Sequence, residues 1–129
     1  MGHKRRKTKV IKVVNIKIGG GNPISIQGMT KTETKNIPAT VKQINQLKNA
    51  GADIIRLAVK DIEDARAIKD IKNKTNIPLV ADIHFNYQFA LEAIKNGIDK
   101  IRLNPGNIYN INQIKQVVAC AKKYKIPIR

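Results

Sequence analysis

One cysteine, no tryptophan, two phenylalanines and three tyrosines leave this 129-residue chain poor in groups that hold metal clusters or stack on bases. The lone Cys120 excludes an internal disulfide and a cysteine metal cage, which fits a reducing cytosol. No apolar run approaches the ~20 residues of a membrane span. The basic start lacks the apolar segment of a secretory signal and is short for a transit peptide, which favours a bacterial cytoplasm over a plastid. Acidic residues are scarce too: 25 Lys+Arg face 9 Asp+Glu for a net charge of +16, and none of the acids precedes Glu33. A balance of that sign raises a polyanion as partner. Lys4, Arg5, Arg6, Lys7, Lys9 and Lys12 crowd the start, however, and many other lysines fall on the outer faces of expected helices. Solvated surface therefore explains most of the charge. With so few aromatics among the basic residues, base stacking has little support, so no specific nucleic acid and no membrane is expected as a partner.

What the chain does have is an internal echo. Gly51-Ala-Asp-Ile-Ile-Arg-Leu57 returns as Gly97-Ile-Asp-Lys-Ile-Arg-Leu103, a shared Gly-x-Asp-x-Ile-Arg-Leu pattern. Each copy reads as a helix stop at the glycine followed by a buried strand that carries one arginine. A charged side chain in an apolar strand needs an anionic partner, since burying it unpaired is very costly. A second echo, Ile77-Pro78-Leu79 against Ile126-Pro127-Ile128, makes the repeating unit two strand–helix pairs.

Val10–Val14 and Asn15–Ile18 are expected to form a hairpin, with Gly19–Gly21 as a turn. Strands are expected at Pro23–Met29, Asp53–Ala58, Pro78–Ile83 and Lys100–Leu103, and another begins at Ile126–Arg129. Helices are expected at Pro38–Ala50 (apolar at 41, 44 and 47), Ile62–Lys72, Tyr87–Lys95 and Ile111–Lys122. Pro38 suits a first turn, Gly51 a C-terminal cap, and Asp61, Glu63 and Asp64 the positive end of the second helix. Strands apolar on both faces belong to a parallel sheet covered by helices. The class is α/β: the N-terminal half of a TIM-type (β/α)₈ barrel, about five parallel strands and four helices, preceded by a β-hairpin. The division expected is 1–22 for the basic start and hairpin and 23–129 for the half-barrel. Because such a barrel needs roughly 250 residues and the sequence stops inside a fifth strand, the chain reads as a fragment of a longer protein. An unsealed half-barrel leaves strand edges bare, which predicts self-association.

Barrel chemistry sits at the C-terminal ends of the strands, and side-chain alternation sorts the inward residues. Ile54, Arg56 and Ala58 share one face of their strand, Val80, Asp82 and His84 another, Lys100, Arg102 and Asn104 a third, and Arg129 ends the fifth. Arg56, Asp82, His84, Arg102, Asn104 and Arg129 thus converge on one rim. Three guanidinium forks with an Asn and a His suit an anion of several oxygens, such as a diphosphate. Asp82 suits pairing with an arginine, orienting His84, or touching a sugar-like hydroxyl. Singly, each has a plainer role: a structural ion pair for Arg56, Arg102 and Asp82, a satisfied histidine for His84. Asn104-Pro-Gly-Asn107 is a turn in its own right, Gly19–Gly21 serves hairpin geometry, and Cys120 is a small core filler. Only their meeting on one rim favours a site.

Five segments carry a family resemblance: Pro23-Ile-Ser-Ile-Gln-Gly-Met-Thr30, Ala50-Gly-Ala-Asp-Ile-Ile-Arg-Leu-Ala-Val59, Pro78-Leu-Val-Ala-Asp-Ile-His-Phe-Asn-Tyr87, Gly97-Ile-Asp-Lys-Ile-Arg-Leu-Asn-Pro-Gly-Asn-Ile108 and Ile126-Pro-Ile-Arg129. Over roughly residues 8 to 129 the chain resembles 4-hydroxy-3-methylbut-2-enyl diphosphate synthase. The resemblance implies an N-terminal TIM-type barrel that binds 2-C-methyl-D-erythritol 2,4-cyclodiphosphate. It also implies a separate domain with a [4Fe-4S] cluster on three cysteines and a glutamate, absent from these residues. The implied activity is that of an iron–sulfur oxidoreductase acting on CH or CH₂ groups in the non-mevalonate isoprenoid pathway. It opens the cyclic diphosphate with two electrons from flavodoxin or ferredoxin, as a homodimer. Carried over by motif, Arg56, Arg102 and Arg129 hold the diphosphate, helped by His84 and Asn104, with Asp82 beside them. No catalytic residue or metal ligand falls within this chain, so the chain alone is expected to be inactive. Two departures stand out, Gly28 for the usual serine and Asn86 for the usual aspartate. Two rivals stay open, another phosphate-handling TIM barrel of dihydropteroate-synthase type and a basic polyanion-binding module.

Overall fold

A computed structural model describes residues 11–13, 16–18, 26–84, 86–103 and 110–128. Asn104, Arg129, the Gly19–Gly21 turn, the turn at 104–107 and the first part of the strand expected from Pro23 lie outside them.

The hairpin forms as β1 (Ile11–Val13) and β2 (Ile16–Ile18), antiparallel, with Val13 opposite Ile16. After it the order is β3 (Gln27–Met29), α1 (Ile37–Asn49), β4 (Ile54–Val59), α2 (Ile62–Lys74), β5 (Leu79–Ile83), α3 (Tyr87–Lys95), β6 (Lys100–Leu103) and α4 (Ile111–Lys123). The four later strands make one parallel sheet in the order β3-β4-β5-β6. That order follows the chain without reversal, whereas a doubly wound sheet reverses at a switch point.

The helices decide the architecture. One sheet face, built by Ile55, Leu57, Val59, Leu79, Ala81, Ile83 and Ile101, packs into a single core with Ile44 of α1, Ile68 and Ile71 of α2, Ile94 of α3 and Val117 of α4. All four helices therefore cover the same face, as in a β/α barrel, and the opposite face is the inner one. Burying each of the valine, leucine and isoleucine side chains among them contributes roughly 1.5–3 kcal/mol.

The repeat now has a physical meaning. Gly51 (φ 111°) and Gly97 (φ 93°) take left-handed conformations just past α1 and α3. Gly51 N–H donates to Lys48 and Ala52 N–H to Leu47, while Gly97 N–H donates to Ile94 and Ile98 N–H to Ala93, the paired bonds of a Schellman stop. The next repeat residue, aspartate, ties each strand to its predecessor. Asp53 Oδ2 accepts from Ile26 N–H at 2.9 Å, and Asp99 Oδ2 accepts from Leu79 N–H at 2.8 Å. The arginine then projects from the inner face.

Boundaries differ from the sequence reading at several ends. Asp53 precedes β4, although its N–H still donates to Ile26 O at 2.7 Å. Helix α2 runs on to Lys74, where the Thr75 hydroxyl donates to Ile71 O at 2.8 Å. The strand expected at Ile126–Arg129 is, over the described residues, a single parallel bridge from Ile128 to Ile101. Cys120 is half-buried and packs at the margin of the core.

Candidate functional site

Parallel register sets the inner face. Arg56 lies opposite Val80, Ala58 opposite Asp82, and Asp82 opposite Arg102. The small Ala58 leaves room for the Arg56 fork to reach diagonally towards Asp82. Asp82 is 4% exposed and sits between two arginines on neighbouring strands. Its Oδ1 accepts from Arg102 Nη1 at 2.8 Å, a short charge-assisted bond. Its Oδ2 lies 3.8 Å from Arg56 Nε and 3.6 Å from His84 Nε2. His84, just past β5, is fixed by its own backbone, whose N–H donates to Val59 O at 3.0 Å.

Strand alternation had therefore placed Arg56, Asp82, His84 and Arg102 on one rim, and the structure brings these four together; Asn104 and Arg129 fall outside the described residues. Two arginines against one carboxylate leave excess positive charge for a further anion. Arg56 Nε is buried without a hydrogen-bond partner among the described residues.

One neighbour was missed. Met29 Sδ accepts from Arg56 Nη2 at 3.2 Å. Met29 stands opposite Arg56 in the sheet; extending the same alternation back to β3 would have found it.

The loop from Thr30 to Asn36 borders the rim and is tied to β4 and α2. Thr30 N–H donates to Arg56 O at 3.1 Å and the Thr34 hydroxyl to Ala58 O at 2.6 Å. Buried Asp64 accepts from Lys35 N–H (2.9 Å) and Lys60 N–H (3.0 Å). Asp61 caps α2 by accepting from Asp64 N–H at 2.8 Å and pairs with Lys35 Nζ at 3.0 Å. The backbone bond from Asp64, then Lys35, holds the Asp61 carboxyl below its ordinary value, and the bond to Asp61 raises Lys35. A cleft of about 120 Å³ lies here between Lys31, Thr34, Lys35, Lys60 and Asp61.

Both departures sit away from the arginines. A Cβ on Gly28 would meet Ile55 Cδ1 at 3.3 Å and Leu47 at 3.4 Å, on the helix-facing side of β3. Asn86 caps α3, accepting from Gln88 N–H at 2.9 Å, a task asparagine and aspartate perform about equally.

A sheet wound singly in chain order, helices on one face and basic residues on the other, defines a barrel of the TIM type. Solved structures agree on the architecture. Dihydropteroate synthase of Yersinia pestis superposes with a TM-score of 0.68 at 12% identity, over 92% of this chain and 44% of that one. The enzyme of Vibrio fischeri gives 0.65 at 14%, over 94% and 49%. At such identity the likeness shows the fold alone.

The family is settled by sequence: the chain belongs to the GcpE TIM-barrel family, whose model matches residues 8–129. It is 56% identical to 4-hydroxy-3-methylbut-2-en-1-yl diphosphate synthase (flavodoxin) of Fusobacterium nucleatum, over 96% of this chain and 35% of that protein. To the synthase of the same name from Caldicellulosiruptor saccharolyticus it is 59% identical, over 95% and 35%. The chain thus spans about a third of the length of these relatives.

The family resemblance implies an iron–sulfur cluster, and the donor set here does not fit one. The chain has a single cysteine. Among the described residues no group of three or more His, Cys, Asp or Glu is placed to hold a metal ion. Nor is any described helix long and apolar enough to cross a membrane.

Proposed function

We propose that the protein supplies the diphosphate grip of a 4-hydroxy-3-methylbut-2-en-1-yl diphosphate synthase. The single observation that carries this is the convergence of Arg56 and Arg102, from two strands separated by β5, on the same buried Asp82. A guanidinium fork meets a phosphate through two parallel hydrogen bonds, so two forks on one rim match the two phosphates of 2-C-methyl-D-erythritol 2,4-cyclodiphosphate. His84 adds a ring N–H beside them, and Asn104 and Arg129 complete the grip. The names of the relatives support flavodoxin as electron donor, with ferredoxin the alternative.

The activity so proposed is reductive opening of the cyclic diphosphate by an iron–sulfur oxidoreductase acting on CH or CH₂ groups, working as a homodimer in a bacterial cytoplasm. With a single cysteine in these 129 residues, the [4Fe-4S] cluster belongs to another part of the protein. The barrel portion is 23–129, with 1–22 an appendage. The chain by itself is expected to bind substrate without turning it over; turnover by the purified chain would overturn that part.

Calorimetric titration of the cyclic diphosphate tests the grip. Arg56→Ala and Arg102→Ala should each weaken binding by about 2–3 kcal/mol, the worth of a lost charge-assisted contact. Binding unchanged in both variants would reject the site.

A further inference from the structure

A carboxylate is an unexpected occupant of a diphosphate site, because a loose negative charge there repels the ligand. Asp82 is not loose: its side chain is 6% exposed, and both oxygens face cationic or N–H groups. Its two arginine contacts are unequal. Arg102 donates to Oδ1 at 2.8 Å, a full hydrogen bond that fixes one edge of its guanidinium and leaves the other donors for a second anion. Arg56 reaches Oδ2 only at 3.8 Å, beyond hydrogen-bond range. Its Nη2 rests on the Met29 thioether, a weak acceptor. A phosphate oxygen, offering a charge-assisted bond, outcompetes both holds on Arg56 but gains nothing by breaking the one on Arg102.

We propose that Asp82 is a positioning residue that presets Arg102 as the fixed arm of the grip and leaves Arg56 as an arm that the anion recruits. This rests on the diphosphate reading of the same rim. Asp82 makes no bond to the ligand; it acts through the arginines.

The test uses the full chain, Asp82→Ala and Asp82→Asn, with inorganic pyrophosphate as probe. Nitrogen-15 NMR reads rotation of the arginine guanidinium groups, and calorimetry reads affinity. In the parent without probe, Arg102 should rotate slowly and Arg56 fast; pyrophosphate should slow both. Asp82→Ala should free Arg102 and weaken pyrophosphate roughly tenfold, the low end of what losing an outer-shell partner costs at metal sites. Asp82→Asn keeps an acceptor oxygen and should recover part of both, which a merely structural role would not produce. Should Asp82→Ala fail to fold, Arg102 in Asp82→Asn should still rotate faster than in the parent. Equal rotation of the two arginines in the parent, or Arg102 rotation indifferent to Asp82→Asn, overturns the proposal. So does tighter pyrophosphate binding in either variant, which would make Asp82 only a repelling charge. Failure of the parent to bind pyrophosphate counts instead against the proposed function, since the rotation comparison in the free protein stands without it.

Discussion

At the scale of single residues, the third helix stop shows what the glycines of the repeat achieve. Past α4, Lys125 N–H donates to Lys122 and Ile126 N–H to Ala121, the same two bonds made after Gly51 and Gly97. Lys125 therefore occupies the left-handed position, with φ 57°, although its Cβ is disfavoured there by about 1–2 kcal/mol. It is exposed, so its side chain gives back little through packing. Lys125→Gly should stabilise the protein by about 0.5–1 kcal/mol in urea unfolding, the gain reduced by the greater freedom of glycine in the unfolded chain. An unchanged or lower midpoint would show that this stop is not strained. Glycine in the first two copies marked the stop in the sequence; lysine in the third hid it, because only backbone geometry identifies the position.

At the scale of elements, the Thr30–Asn36 loop and α2 are held together by Asp61 and Asp64. Asp61 is the side-chain cap of α2, and its carboxyl is held low in the folded protein. Such a group lends its stability above its unfolded value, near 3.8, and loses it as pH falls through the folded value. Asp61→Ala should cost about 1 kcal/mol at pH 7, and its acid unfolding below pH ~4 should be correspondingly shallower than the parent's. The parallel check is Asp61→Asn, which keeps the cap oxygen and should lose less at neutral pH. Equal stability of parent and Asp61→Ala in guanidinium melts at pH 7 would remove the cap from the account. Sequence made part of this legible: Asp61, Glu63 and Asp64 stood where a helix start wants acids. It did not show that Asp64 turns back to bind Lys35 N–H, since that depends on a loop 29 residues away in the chain. Strand alternation likewise put Arg56, Asp82 and Arg102 on one face, because a period of two survives any error in strand ends. Which arginine takes the short bond to Asp82 was beyond it, being set by side-chain conformation.

At the scale of the molecule, one face of the sheet is apolar and sealed by four helices, and the other carries the arginines. That division is what the repeat encodes: within Ile-Arg-Leu the two aliphatics turn towards the helices and the arginine away from them. The half-barrel was readable because strand, helix and glycine stop recur in order. The identity of the anion was readable only through the family. The most direct test of the whole is a crystal structure of the protein with 2-C-methyl-D-erythritol 2,4-cyclodiphosphate bound. Both Arg56 and Arg102 should donate to diphosphate oxygens at about 2.7–2.9 Å, with Asp82 still holding Arg102. A cyclodiphosphate seated elsewhere, or touching neither guanidinium, would contradict the account.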